Sequence, residues 1–466
     1  MRTILSNTFP IKLKRYITTN VKSSTSSRSE IYNAIVIGLG GVGSFALRSL
    51  SKKSEDIRVL GIEQFDLGHT LGSSHGDSRL FRHAYFEHPN YVPLCLRSTT
   101  IFQELCDWKR MKSTTHSNIR GGERVTTTYE QHVPLLERCG VLILSDAADG
   151  DKPYEIIRRC QESAQLHNIP VMLLDSDELR QRYGKLFHMN SYPNGKLKGL
   201  LEPGAGFVRP ELALRYAIED AIDNGAEVIE NSPVISMHPS NSDDKVMNVK
   251  VSTGKVYQTR SILVSAGAWA SKIIPQWASY LTVTRQVQAW FQPKDVEKFR
   301  PSPSSPGWYL DTSMMMRHND MSHNLPLYGF PADTFSRHHS NHVKIALHGR
   351  NVPFDPDELF RPDVTNEEMD ELRDAVQHWI PEASDRMVAS KACLYTMSPD
   401  GHFIFDRAPG FDTGQCIVWC IAGLSGHGFK MTPALGEAAA DLLIEGETEL
   451  PISFLSTNRL NPLSDS

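Results

Sequence analysis

Three glycines and one acid supply the first chemistry legible in the chain. Gly38, Gly40 and Gly43 form the run Gly38-Leu39-Gly40-Gly41-Val42-Gly43, directly after the apolar stretch Ala34–Ile37 and before a helical pattern. At such spacing Gly38 permits a tight turn out of a strand, Gly40 lets backbone approach a pyrophosphate, and Gly43 lets the helix close onto the sheet. The helix N-terminus then offers free N–H groups and partial positive charge to phosphates. Glu63 ends a second apolar run and can accept ribose hydroxyls, which disfavours the 2′-phosphate of NADP. The pattern therefore predicts a dinucleotide site rather than a merely structural glycine turn. The unit itself does not separate NAD from FAD. Ser265-Ala266-Gly267-Ala268-Trp269, a strand end far downstream, is the kind of place where a flavoprotein chain returns to its cofactor.

Other reactive side chains are less telling taken alone. His75, Arg79 and Arg82 share one segment, GSSHGDSRLFRHAY, which without context reads as a loop with two solvated arginines. The seven cysteines form no CxxC pair, which argues against zinc or dithiol redox chemistry, and no metal site is expected. A lone cysteine such as Cys393 is ordinarily a buried structural residue. Tyr328, Lys344 and His348 fall in strand-like runs, PLYGF and VKIALH, and Lys430 follows the glycines of GHGFK.

The elements that must position these groups are mixed. Apolar spacing predicts helices at 153–168, 175–183, 210–224, 365–379 and 433–445. Strands are expected at 140–145, 226–231, 245–254, around 261–264, and in several antiparallel-looking runs between 281 and 347. Nucleotide-binding elements lie at both ends and in the middle. The expected fold is α/β, a Rossmann-type dinucleotide-binding domain (FAD-binding, by the resemblance that follows) interleaved with a mixed, largely antiparallel β-sheet substrate domain. Residues 31–115, 196–275 and 386–459 are assigned to the first, and 116–195 and 276–385 to the second.

Three long segments then identify a resemblance: GSSHGDSRLFRHAY (72–85), KACLYTMSPDGHFIFDRAPG (391–410) and GLSGHGFKMTPALGE (423–437). With the glycine motif, they resemble in order and spacing the monomeric sarcosine oxidase family, which includes pipecolate and N-methyltryptophan oxidases. The resemblance spans Ile31 to about Arg459. It implies FAD joined covalently to Cys393, in Cys393-Leu394-Tyr395-Thr396, with His75 and Arg79 beside the flavin ring. It implies a substrate carboxylate held by Arg82 and Lys430, with Gly426 and Gly428 bringing backbone N–H groups to the flavin. Tyr328 and His348 match active-site positions, and Lys344 matches a lysine associated with activating O2. Here the sequence departs from the family: bulkier, more basic ADTFSRHHSNH (332–342) replaces a glycine-rich stretch before that lysine. The implied reaction is oxidation of a small secondary amino acid (sarcosine, L-pipecolate or L-proline-like) to an imine, with O2 reduced to H2O2. The alternatives are a flavin dehydrogenase passing electrons to a carrier, a fructosyl-amine oxidase, and an inactive homologue that only binds a ligand.

Bulk properties set the remaining expectations. Acids and bases are mixed and the net charge is only -5, which gives no argument for nucleic acid. No apolar run is long enough to span a bilayer, and a monomer is expected. Residues 1–30 carry six basic residues and only one acid, Glu30, as in mitochondrial transit peptides, although a plain disordered tail has the same composition. The C-terminal Ser-Asp-Ser is not a peroxisomal address, so the location is expected to be mitochondrial, with peroxisomal or cytoplasmic placement as alternatives.

Overall fold

The computed structural model describes residues 31–115, 133–146, 154–189, 197–243, 245–311, 325–358, 364–411 and 416–460. The N-terminal tail lies outside these residues. One sheet is built on five parallel strands in the order Ile417–Ala422, Val256–Val264, Tyr32–Ile37, Val59–Ile62 and Glu227–Ile229. Antiparallel strands at Val234–Pro239, Met247–Val251 and Ile404–Arg407 extend it. Tyr32–Ile37 is a nearly unbroken apolar, buried run, as a parallel strand covered on both faces requires.

The helix Gly41–Ser51 packs between the helices Pro210–Asp223 and Thr432–Ile444. Small residues make this close approach possible: a Cβ on Gly436 would lie 2.6 Å from the backbone nitrogen of Ala46. Buried Arg48 reaches across to Asp220 at 2.7 Å and locks two of these helices together. The paired charges are nearly inaccessible, so each satisfies the other in a place where neither would be tolerated alone.

The second sheet has the strand order Arg386–Met397, Thr282–Gln292, Val343–Leu347, Leu327–Phe330, Gly307–Asp311, Val141–Asp146, Leu197–Glu202 and Met172–Leu174. All its pairs are antiparallel except Val141–Asp146 with Gly307–Asp311. The helices Ser176–Tyr183 and Asn366–Trp379 help fill the core behind it, and both open on a capping box, at Asp175 and Thr365. A three-stranded ribbon of Arg79–Phe81, Gly206–Val208 and Leu136–Glu137 completes the β structure.

Two segment boundaries move. Leu197–Glu202 and Arg386–Met397, grouped by sequence with the nucleotide-binding segments, are hydrogen-bonded into the second sheet. The long strand through Cys393 finds its partner in Thr282–Gln292, with Cys393 opposite Gln286. That pairing is a long-range event that local periodicity does not encode. A helix at Tyr91–Thr115 was also not anticipated. Its Pro93 suggests a break but sits in the first turn, where the missing N–H costs nothing. No helix among the described residues is long and apolar enough to cross a membrane.

Gly43 is the tightest point of the nucleotide-binding unit, because a Cβ there would come within 1.8 Å of the carbonyl oxygen of Gly38. Gly43→Ala should cost about 3 kcal/mol or more by overpacking. Thermal denaturation should show a clearly lowered midpoint, and a variant melting with the parent chain would contradict this reading of the turn.

Candidate active site

A cavity of ≈ 340 Å³ lies at the carboxyl ends of the parallel strands, the usual ligand position in open α/β sheets. Its wall is made by the turns that follow four of these strands: Gly38–Val42, Glu63, Ser265–Trp269 and Gly423–Gly426. Gly38 has φ +88°, and a Cβ there would lie 2.7 Å from the carbonyl oxygen of Ser265, so this turn needs glycine. Gly40 and Gly267 differ: a Cβ on Gly40 would find its nearest neighbour 3.9 Å away, and one on Gly267 would find nothing within 4 Å. Both therefore border open space that a side chain would fill. Ser74 Oγ accepts the N–H of Gly41 at the helix mouth. Glu63 accepts N–H bonds from Leu39 at 2.8 Å and Phe65 at 3.1 Å, which fixes its carboxylate at the strand end. Open backbone at a helix N-terminus with a fixed acid twenty residues on fits an adenine dinucleotide.

The second sheet borders the cavity through Leu394, Tyr395 and Thr396. Directly paired residues share a face, as do alternate residues along a strand. Lys344 pairs with both Trp290 and Phe330, and Gln288 with Lys391, so Lys344, Tyr328, Cys393 and Tyr395 all point the same way. Cys393 is buried, and the half-buried Arg79 guanidinium donates to its Sγ at 3.6 Å. Arg79 is anchored by the carbonyls of Ser73 and Ser78. Although burial opposes its charge, nearby Cys393, Tyr328 and Tyr395 raise its pKa. Gly426, at φ +79°, is glycine because a Cβ there would meet the Tyr395 ring at 2.4 Å, and Gly428 gives way similarly to Leu424.

The two basic residues expected to hold a carboxylate are both buried. Lys430 Nζ donates to Tyr85 Oη at 3.1 Å and to the carbonyl of His427 at 2.8 Å. Burial, reinforced by the Arg82 cation, lowers its pKa to about 8. Arg82 lies between the rings of Tyr85 and Phe86, 4.2 and 4.4 Å from their centroids. Its guanidinium is not free, however: Nη2 donates to both carboxylate oxygens of Glu87, at 3.1 and 2.9 Å. An incoming carboxylate must share or displace this internal partner. Burial opposes the charge of Glu87, but Arg82, His427 and Lys430 lower its pKa to about 2. Glu202 fixes the turn that carries Arg82 by accepting the N–H groups of His83 and Ala84 and pairing with the His83 ring at 2.6 Å.

His348 joins this cluster to the cavity. Its Nδ1 is 3.3 Å from Tyr395 Oη, and its ring packs edge-on to Tyr328 and Tyr309. Burial lowers its pKa to about 4, so the imidazole is neutral near pH 7. His75 is fully buried, with Nδ1 3.5 Å from Gln288 Nε2. Lys344 is also buried, and it donates to the carbonyls of Gly76 at 2.6 Å and Ser78 at 2.7 Å. Burial and the neighbouring Arg79 cation push its pKa well down, against the pull of Asp77 and Glu211.

A glycine-walled dinucleotide crevice facing a sheet of buried redox-compatible side chains defines a nucleotide-dependent oxidoreductase. The chain belongs to the FAD dependent oxidoreductase family, which matches residues 33–442. It is 30% identical to a monomeric sarcosine oxidase of Streptomyces avermitilis over 93% of this chain and 98% of that protein. It is 28% identical to an N-methyl-L-tryptophan oxidase of Yersinia pestis, covering 92% and 99% of the two chains. In fold it resembles an amino acid oxidase essential for nikkomycin biosynthesis, with a TM-score of 0.70 at 18% identity over 92% and 98% of the chains.

Sequence reasoning named the cations but missed their partners. Tyr85 was inside a quoted segment with no role attached, and Glu87 lies just beyond it. Glu211 and Tyr309 carry no motif at all. Asp77 was visible, but its contact with His339 joins residues 262 apart in sequence.

Lys430 gives a test with a definite sign. Its charged form exists below a pKa of about 8 and is lost above it. An acetate-type inhibitor, which lacks an amine, should therefore bind progressively more weakly as pH rises through about 8. In Lys430→Met that pH dependence should vanish. A flat profile in the parent enzyme would remove the lysine from the carboxylate site.

Proposed function

We propose that this enzyme oxidises a small secondary amino acid, sarcosine-, pipecolate- or proline-like, to the corresponding imine. In this reading O2 takes the electrons and leaves as H2O2, and FAD is joined through a thioether to Cys393. The observation that carries the reading is one chain of contacts: cavity-lining Arg79 touches Cys393, and cavity-lining Tyr395 leads through His348, Tyr309 and Phe86 to buried Arg82, which shares Tyr85 with Lys430. The sarcosine and N-methyl-L-tryptophan oxidases to which the chain is similar support a substrate bearing both a carboxylate and a secondary amine.

Gly38, Gly40, Gly43, Glu63 and Gly267 hold the dinucleotide, and Gly426 and Gly428 allow close backbone approach. FAD, when bound, supplies the two-electron redox chemistry, while the protein supplies orientation and charge. Arg82 offers a planar fork and Lys430 a compact charge, so together they fix a carboxylate in position and direction. Fixing one end of a small molecule limits the poses of its reacting carbon. His348 is neutral, and burial keeps the phenols Tyr328 and Tyr395 protonated near pH 7. These three groups can hydrogen-bond a neutral amine without adding charge beside it. Arg79 places a permanent cation next to the sulfur and His75 packs nearby, both suited to stabilising negative charge on the prosthetic group.

Two measurements test this. Acid-precipitated protein should remain yellow, and Cys393→Ser should release all colour to the supernatant. Colour released from the parent protein would disprove the covalent link. Arg82→Met should raise KM for amino acids about 100-fold, by loss of a charge-assisted pair, while changing KM for neutral amines little. An equal loss for both substrate types would reject its carboxylate role.

A further inference from the structure

The segment 332–342, which departs from the family pattern, folds back onto the loop that Lys344 grips. His339 Nδ1 lies 2.7 Å from Asp77 Oδ2, and its ring stacks on Trp290 with centroids 4.0 Å apart and planes at 21°. The segment is anchored on both sides of this contact. Ser336 Oγ accepts the N–H of His339, Asp333 pairs with the buried Arg209 at 2.7 Å, and Asn341 accepts from Arg300. It is thus a fixed strut, ending two residues before Lys344.

The loop beneath it is unusual. Gly76 and Asp77 both have positive φ, +98° and +67°, a conformation that aspartate tolerates better than most residues. From one side Glu211 Oε1 accepts the N–H groups of both residues. From the other, Lys344 Nζ takes the carbonyls of Gly76 and Ser78, spending two of its three donors. Lys344 Nζ thus binds the carbonyls on either side of Asp77, and the Asp77 carboxylate is one of the acids whose charge favours the ammonium form against burial and the Arg79 cation. Its direct side-chain partners in this place both come from the divergent segment, His339 first and Ser336 second.

We propose that Asp77 and His339 are positioning residues for Lys344: Asp77 supplies its counter-charge, and His339, delivered by the divergent segment, holds that carboxylate and the Gly76–Ser78 carbonyls in place. The proposal rests on the reading of Lys344 as the cation that assists O2 reduction. A fixed cation near the site of superoxide formation stabilises the charge that develops there, so its placement and charge govern reoxidation rather than amine oxidation.

The test separates the two half-reactions by stopped flow on the flavin-loaded enzyme. Asp77→Asn and His339→Leu should slow reoxidation by O2 about tenfold, the usual scale for losing an outer-shell partner, and leave anaerobic reduction unchanged. His339→Gln keeps a hydrogen-bond donor and should recover most of the rate. Hydrogen exchange of the peptide spanning 74–80 gives a readout independent of turnover: it should quicken in His339→Leu and stay near the parent value in His339→Gln. Unchanged reoxidation, equal slowing of both half-reactions, or a His339→Gln variant as slow as His339→Leu would overturn the proposal. Lys344→Met, run in parallel, keeps the two ideas apart. If it reoxidises normally, the oxygen role of the lysine fails, and the exchange data alone decide whether the pair holds the loop. If it is slow while the Asp77 and His339 variants are normal, only the positioning proposal fails.

Discussion

Three buried basic side chains, Arg82, Lys344 and Lys430, and a fourth, half-buried Arg79, belong to this protein's candidate site, and each has acidic groups beside it that offset the cost of burying a charge. Removing a cation from water is expensive unless a partner compensates. The partners are buried or half-buried carboxylates on different elements: Glu87 for Arg82 and Lys430, Asp77 and Glu211 for Lys344. Every such pair ties a loop of the nucleotide-binding half to the second sheet or to a neighbouring turn. The same electrostatic requirement that, on the proposed function, would prepare the site for an anionic substrate thus also ties these segments together.

This division explains what the sequence disclosed. The βαβ unit was legible because its signals are local: an apolar strand, three glycines and an acid at fixed spacing. Helix ends were legible for a similar reason, since Thr365 and Asp175 cap helices through their own neighbours. Cys393, Arg79, Arg82 and Lys430 were reached through long motifs, and the fold brings Arg79 against Cys393 although they lie 314 residues apart. The sheet that the strand through Cys393 joins was not legible, because its partner Thr282–Gln292 lies about a hundred residues away. Glu87 escaped because an acid five residues after an arginine has no helical or strand spacing to mark it.

The sheet assignment has a chemical consequence. With Arg386–Met397 in the second sheet, the candidate attachment point for the flavin sits on the substrate half while the dinucleotide crevice sits on the other. A thioether at Cys393 would then bridge the halves, with the cofactor itself as the strut. Arg79 belongs to the small ribbon between them and touches the sulfur, so the cation is placed by neither large sheet alone.

On the proposed function, the Arg82–Glu87 pair would make the same charges impose selectivity. A neutral ligand finds the guanidinium already satisfied and gains nothing by competing for it. A carboxylate can take over one side of the fork, and the cost of disturbing Glu87 is lessened because Lys430 and His427 remain beside that acid. The internal acid also keeps Arg82 from burying an unbalanced charge when no substrate is present, which is the state that would otherwise be least tolerable in so enclosed a place. With Arg82 in its proposed role, discrimination for an anionic substrate would come from the exchange of one buried carboxylate for another, before any feature of the substrate's side chain is considered.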